Sequence, residues 1–258
     1  MFPYRDENET VRTAYTTMAL IAANVAAWLL VQGAGSDLPL ARSVCELGLI
    51  PGELTGRVPP GTGFRMGEGL VCLTDPGRQG AHVVTSMFLH GSWMHLLGNM
   101  WFLWLFGNNV EDAMGRGRFV AFYLLSGVAA ALTQVLLSPD SAVPMVGASG
   151  AISGVMGAYV LLYPHVRVFV MVPLGFVLTS MAWPAWAMLG YWLLLQLLSG
   201  LTVADKEGGG VAFWAHFGGF IAGVALVKLF ARPEYVAEHR ARHWRPRRMV
   251  GDAGDPWA

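Results

Sequence analysis

An all-α polytopic membrane protein, a bundle of six transmembrane helices, is the fold class the sequence predicts, and three observations carry it. Of 258 residues, 54% are hydrophobic and only 13% are charged, against roughly 25% charged in ordinary soluble domains. The charges are segregated: runs free of Asp, Glu, Lys and Arg cover 13–36, 79–110, 119–139, 141–166, 168–204 and 208–227. A membrane helix needs about 20 mainly apolar residues, and every run can hold one. Ten tryptophans suit anchoring at the two bilayer interfaces.

Taken in order, MFPYRDENETVR is polar and mixed in charge, so 1–12 reads as a short cytoplasmic N-terminus and the first run as a retained signal anchor. The first outer loop, about 35–80, is the only long one, rich in Gly and Pro where regular structure ends. Both cysteines, Cys45 and Cys72, lie in it. On the oxidising side of a bacterial membrane they would form a disulfide; two unpaired buried thiols are the alternative. The second span should end near Phe106. In the fourth run Pro139 and Pro144 argue against helix before Ser149.

The run 168–204 is long enough for two spans broken near Pro184. Orientation arbitrates. Lys228, Arg232, Arg240, Arg242, Arg245, Arg247 and Arg248 have only Glu234 and Glu238 close by in sequence and outnumber all four acids of the segment, so 231–258 reads as a basic cytoplasmic tail. Six spans then keep the N-terminus inside, with Arg116, Arg118 and Arg167 in inner loops. The expected fifth span is therefore near 184–200, with VFVMVPLGFVLTSMAW partly interfacial. The expected site of residence is the inner membrane of a bacterium, multi-pass, with both termini cytoplasmic.

Net charge is zero, which gives no electrostatic case for nucleic acid or an acidic partner. Polar side chains inside apolar spans are costly and therefore suspect. Among them are His82, His90, His95 and Asn99, then Ser149, Ser153 and His165, then His216. The three histidines of the second run lack a cysteine or carboxylate within the span, so a metal is set aside. His95 and Asn99 are four apart and share a helix face, as do Ser149 and Ser153. Gly150 and Gly154 lie beside that second stripe. Gly219 and Gly223 share a face with His216, and small residues at this spacing let two membrane helices approach closely. If the two glycine faces meet, Ser149 and His216 become neighbours. Counted along their runs, both lie in the outer part of the bilayer.

HLLGN at 95–99, GASG at 147–150 and AHFGGFIAG at 215–223 resemble the three signature motifs of the rhomboid family of intramembrane serine proteases, in the family's order and on the second, fourth and sixth spans. The resemblance covers roughly 79–227 and makes 13–230 a six-helix rhomboid-like membrane domain. It implies Ser149 as nucleophile and His216 as general base, with the Ser149 backbone N–H, His95 and Asn99 as oxyanion donors. Gly150, Gly219 and Gly223 would pack the helices at the site. No Asp or Glu lies in any of the six runs, so the sequence itself favours a dyad over a triad. No cofactor is implied. The implied partners are the lipid bilayer and single-span membrane substrates whose helices unwind near the outer face. Lateral access near the fifth span would be capped by Leu201 to Gly210, with its Gly208-Gly209-Gly210 run. Glu111, in a span-end pattern like the family's, reads as structural.

Two departures stand out. Family members often carry an aromatic residue one turn after the nucleophile; here it is Ser153, whose hydroxyl either bonds His216 or eases packing. The first outer loop lacks the Trp-Arg pair of some bacterial members. The competing functions are a non-catalytic rhomboid-like protein that binds client helices and a small-solute transporter. Such pseudoproteases usually lose the serine or the histidine, and this chain keeps both. A transporter would more often show intramembrane charge or an inverted repeat.

Overall fold

A computed structural model describes residues 2–67, 69–75, 77, 80–175, 177–203 and 212–243. In chain order these form β1 (Phe2–Asp6), α1 (Tyr15–Leu30), α2 (Asp37–Leu47), α3 (Pro51–Thr55), β2 (Gly63–Gly67), β3 (Leu70–Leu73), α4 (His82–Thr85), α5 (Trp93–Met114) and α6 (Arg116–Leu137). There follow α7 (Ser149–Leu162), β4 (Arg167–Leu174), β5 (Val177–Pro184), α8 (Ala185–Val203), α9 (Phe213–Phe230) and α10 (Pro233–His243). By length and composition, α6 and α9 can each cross a bilayer; α1, α7 and Ala185–Leu201 of α8 are apolar but shorter. Leu30, Leu136 and Leu229 are exposed on the outside, a surface that suits lipid.

The centre of the bundle is α7, whose residues from Gly150 to Tyr159 are all buried. A helix apolar on every side needs neighbours all round, and α5, α6 and α9 supply them. The α7–α9 contact is backbone against backbone. A Cβ on Gly219 would fall 2.0 Å from the Gly150 carbonyl oxygen, one on Gly223 1.9 Å from that of Gly154, and one on Gly157 2.2 Å from that of Phe220. The two expected glycine faces do meet.

Helix α7 begins at Ser149 rather than at the start of its uncharged run, so the count of residue depth along that run does not hold there. Pro139 and Pro144 keep the approach irregular, and the outer loop holds it in place. Leu49 and Met145 exchange backbone hydrogen bonds (3.0 and 2.7 Å), and Gly52 N–H donates to the Ser141 carbonyl (2.8 Å). Thr55 Oγ1 donates to the Pro139 carbonyl (2.7 Å). Cys45 and Cys72 are joined in a disulfide, which ties α2 to β3 within this same loop.

The segment expected to lie partly in the interface is an antiparallel hairpin, β4–β5, and β1 adds to β4 as a third strand. Val168 and Val170 are buried while Met171 faces out, the period-2 alternation of a strand. Helix α5 also runs past the expected end near Phe106 to Met114, because its terminal carboxylates are fully engaged. Glu111 accepts from Thr16 N (2.9 Å), Thr17 N (2.7 Å) and Thr17 Oγ1 (2.8 Å), capping α1 from outside. Asp112 accepts from Val11 N (2.9 Å) and Arg12 N (3.0 Å).

Helix α10, in what the sequence marks as tail, packs on this same end. Its His239 bridges Asp112 (3.2 Å) and Asn8 (2.8 Å), and Arg12 pairs with Glu238. The N-terminal strand, the α5–α6 turn, the β4–β5 hairpin and α10 thus gather at one end, the grouping that the basic residues predict for the inside.

Candidate active site

Gly147, two residues before α7, has φ +128°, a region that side-chain-bearing residues rarely adopt. Its N–H donates to the Ser86 carbonyl (2.9 Å). A Cβ at Gly147 would lie 2.7 Å from His95 Nε2 and 3.5 Å from Ser149 Oγ. The absent side chain is what lets the His95 ring and the Ser149 hydroxyl flank one small space. Ser149 opens α7, so the first-turn amides have no intrahelical acceptor and the positive end of the helix dipole faces that space.

His216 sits in the first turn of α9. Ala215 N–H just before it donates to Gln134 Oε1 of α6 (3.2 Å), which fixes that turn. The imidazole is held on both sides: Nε2 lies 2.7 Å from Ser149 Oγ, and Nδ1 lies 2.7 Å from Gln196 Oε1 of α8. Trp192, one turn before Gln196, lies against the ring with centroids 5.9 Å apart.

Helix α5 brings the third group. Ser92 Oγ accepts from His95 N–H (3.1 Å), an N-cap bond that starts the helix and puts His95 in its first turn. Gly91 N–H donates to His95 Nδ1 (3.3 Å). With Nδ1 accepting, a neutral ring carries its proton on Nε2, the nitrogen turned toward Gly147. Asn99, one turn on, is buried, and its Nδ2 has no hydrogen-bond partner among the described residues. The segment before α5 is anchored by Gln32, whose side chain bonds His90 N (2.8 Å) and His90 O (2.7 Å). Ser149, His216, His95 and Asn99 all line one cavity of about 690 Å³.

All four candidate reacting residues therefore converge, with Gly150, Gly219 and Gly223 making the helix contact beneath them. Ser153 does not reach His216; its Oγ donates to the Ser149 carbonyl (2.6 Å). His165 is exposed, and His82 and His90 are buried outside the cavity lining. Gly208-Gly209-Gly210 lies outside the described residues. Gln196, Trp192 and Gln134 are parts of the site that the sequence did not single out. Gln196 carried a signal, because it is an amide set in a run of leucines, Leu193 to Leu198, and such a residue in a span invites a partner.

Comparison with known proteins points to one family. A family model described as the rhomboid domain matches residues 77–233. The chain is similar to Rhomboid-like protein 11, chloroplastic, of Arabidopsis thaliana, 35% identical over 153 residues, covering 58% of this chain and 52% of that one. It is 30% identical over 146 residues to Rhomboid protein 1, mitochondrial, of Saccharomyces cerevisiae, covering 55% of this chain and 39% of that one. A shorter match, 40% over 76 residues, is to Rhomboid protease GluP of Bacillus subtilis, 30% of this chain and 14% of that one. The chain thus spans about half or less of the length of these relatives. Their names include organelles as well as a bacterium, so they lend no support to a bacterial inner membrane in particular. Signature motifs, meeting glycine faces and a match over more than half its length together mean that this chain, a helical polytopic membrane protein, belongs to the rhomboid family.

Proposed function

We propose that the chain is an intramembrane serine endopeptidase that cleaves single-span membrane proteins near the outer face. The observation that carries the proposal is the 2.7 Å contact between Ser149 Oγ and His216 Nε2. That is hydrogen-bond distance between a nucleophile and its base. His216 would take the Ser149 proton as Oγ attacks the scissile carbonyl, then return it to the departing amine. The oxyanion would form beside Gly147, facing the first-turn amides of α7, with His95 Nε2–H and Asn99 Nδ2–H as side-chain donors. The unpartnered Asn99 amide supports this, since a buried donor without an acceptor is costly unless something occupies the space at turnover. The chemistry calls on no cofactor.

In this proposal α1, α5, α6, α7, α8 and α9 are the six spans, and the end that carries β1 and α10 faces the cytoplasm. A substrate helix would be extended before attack, because a helical peptide bond is hidden within its hydrogen-bonded ladder. Segments that hold Gly or Pro, the poorest helix formers, yield most readily. The non-catalytic alternative, binding client helices without cleavage, leaves the Ser149–His216 contact without a purpose.

The test is trapping. A fluorophosphonate probe should label the purified protein at Ser149, with labelling abolished in Ser149→Ala and strongly slowed in His216→Ala. An unlabelled wild-type protein, or equal labelling of Ser149→Ala, would contradict the proposal.

A further inference from the structure

We infer that Gln196 is a positioning residue for the reaction: its side-chain carbonyl selects the tautomer and aim of His216. This rests on the dyad proposed above. Gln196 Oε1 lies 2.7 Å from His216 Nδ1, and a carbonyl oxygen can only accept. A ring held there keeps its proton on Nδ1, which leaves the Nε2 lone pair to accept the Ser149 hydroxyl proton. The opposite tautomer would set an N–H against Ser149 and leave the Gln196 carbonyl facing a lone pair. In soluble serine proteases a carboxylate does this work, and among the described residues none lines this cavity.

The alternatives for orienting the ring are used elsewhere. Ser153, one turn after the nucleophile, is turned to the Ser149 carbonyl (2.6 Å). Trp192 covers the ring at 5.9 Å between centroids but offers no acceptor for Nδ1. Trp192 and Gln196 are four apart on α8 and present one face to His216. Helix α8 therefore completes the site, and its displacement would release the tautomer lock before any reacting residue moved.

A neutral acceptor in place of a carboxylate has a chemical consequence. When His216 takes the proton it becomes an imidazolium that still donates from Nδ1 to Gln196 Oε1, stabilised by an amide dipole rather than a full charge. Exchanging the amide for a carboxylate keeps the acceptor and adds the charge, so it holds the protonated ring more tightly.

The experiment compares Gln196→Leu and Gln196→Glu with the wild type, in detergent, by fluorophosphonate labelling rate across pH 5–9 and by kcat and KM for a transmembrane substrate. Leucine is apolar and close in size, so it asks little of a membrane helix. Gln196→Leu is expected to lower labelling rate and kcat together by about 10- to 100-fold, with KM changed less than about two-fold, because a group that acts through His216 works on the proton-transfer step rather than on substrate binding. Gln196→Glu should recover most of the rate at alkaline pH and move the acid limb of the profile to higher pH. Wild-type rates in Gln196→Leu would overturn the inference. So would a Gln196→Glu protein as slow as Gln196→Leu at every pH. A wild type that Ser149 phosphonylation cannot detect would instead remove the dyad beneath it, and with it this inference.

Discussion

A Cβ on Gly219 would stand 2.0 Å from the carbonyl oxygen of Gly150, so the helix carrying His216 and the helix carrying Ser149 touch through their backbones. The obstructing atom belongs to the main chain of a helix that is buried along most of its length, and it has nowhere to retreat. Helix position is therefore set one turn below the reacting pair, and the 2.7 Å Ser149–His216 contact inherits it.

Bulk at Gly219 or Gly223 should consequently impair cleavage although neither residue takes part in the chemistry. Overpacking an interior costs about 1–3 kcal/mol, and a shift of about 1 Å in a reacting group can cost on the order of 10²-fold in rate. Gly218 lies one position off that face and lacks room as well: a Cβ there would meet the Thr133 side chain, Oγ1 at 2.2 Å and Cβ at 2.4 Å, rather than main chain. Gly218→Ala and Gly219→Ala should both lose activity, whereas Gly190→Ala, with nothing within 4 Å, should not. Equal activity in all three, assayed at matched expression, would mean that the α7–α9 approach is looser than the geometry requires.

Much of this was legible in the sequence, for physical reasons. Segregated charge marks the apolar runs because ions avoid hydrocarbon. Within them, helix-period spacing paired Ser149 with His216 across two glycine faces and put His95 and Asn99 on one face, and the resemblance of the three motifs supplied their roles. The β4–β5 hairpin was not, because β-branched and aromatic residues in an uncharged run read equally as helix or interface until Gly175 is seen at the turn. Gln196 was missed because one amide among leucines does not reveal which side chain it meets. The inner-end network was out of reach for a different reason. Asp6, Asn8, Asp112 and His239 are scattered over most of the chain, and no local pattern joins them.

Asn99→Ala should lower turnover by up to about 10²-fold and leave the fold intact, since Asn99 Nδ2 breaks no hydrogen bond among the described residues when removed. His95→Ala should cost a comparable amount. Steady-state cleavage rates together with thermal melts in detergent separate lost chemistry from lost stability. Full activity in both variants would show that the oxyanion is held by the backbone alone.

Reducing the Cys45–Cys72 bridge should destabilise the protein by about 3–4 kcal/mol, the chain-entropy expectation for closing a loop of this length, here a separation of 27 residues. The loop supports the approach to Ser149 through Leu49 and Met145, so labelling of Ser149 should slow as well. Thermal melts and probe labelling with and without reductant measure both effects. Unchanged melting after verified reduction would contradict this role.

Asp6 supplies a pH test at the other end. Burial raises its carboxyl from 3.8 to about 6, although the Tyr159 hydroxyl donates to it at 2.5 Å. A folded-state value above the unfolded one means that the protonated form is favoured on folding. The contribution is therefore full below about pH 4 and lost as pH rises through about 6. Asp6→Asn keeps an acceptor for Tyr159 without the charge. It should melt higher than wild type at pH 7.5, by about 1–3 kcal/mol in stability, and lose that advantage at pH 4. An advantage that does not change with pH would refute the assignment.

The most direct test of the central claim is cleavage in a bilayer. Wild-type protein, Ser149→Ala and His216→Ala are reconstituted into liposomes with a single-span substrate whose helix carries Gly and Ala near its outer end, and products are mapped by mass spectrometry. The account predicts one cut in the outer part of the substrate helix by the wild type, reduced by at least about 10³-fold in either variant. Undiminished cutting by Ser149→Ala, or a wild type that holds the substrate and never cuts it, would contradict the account.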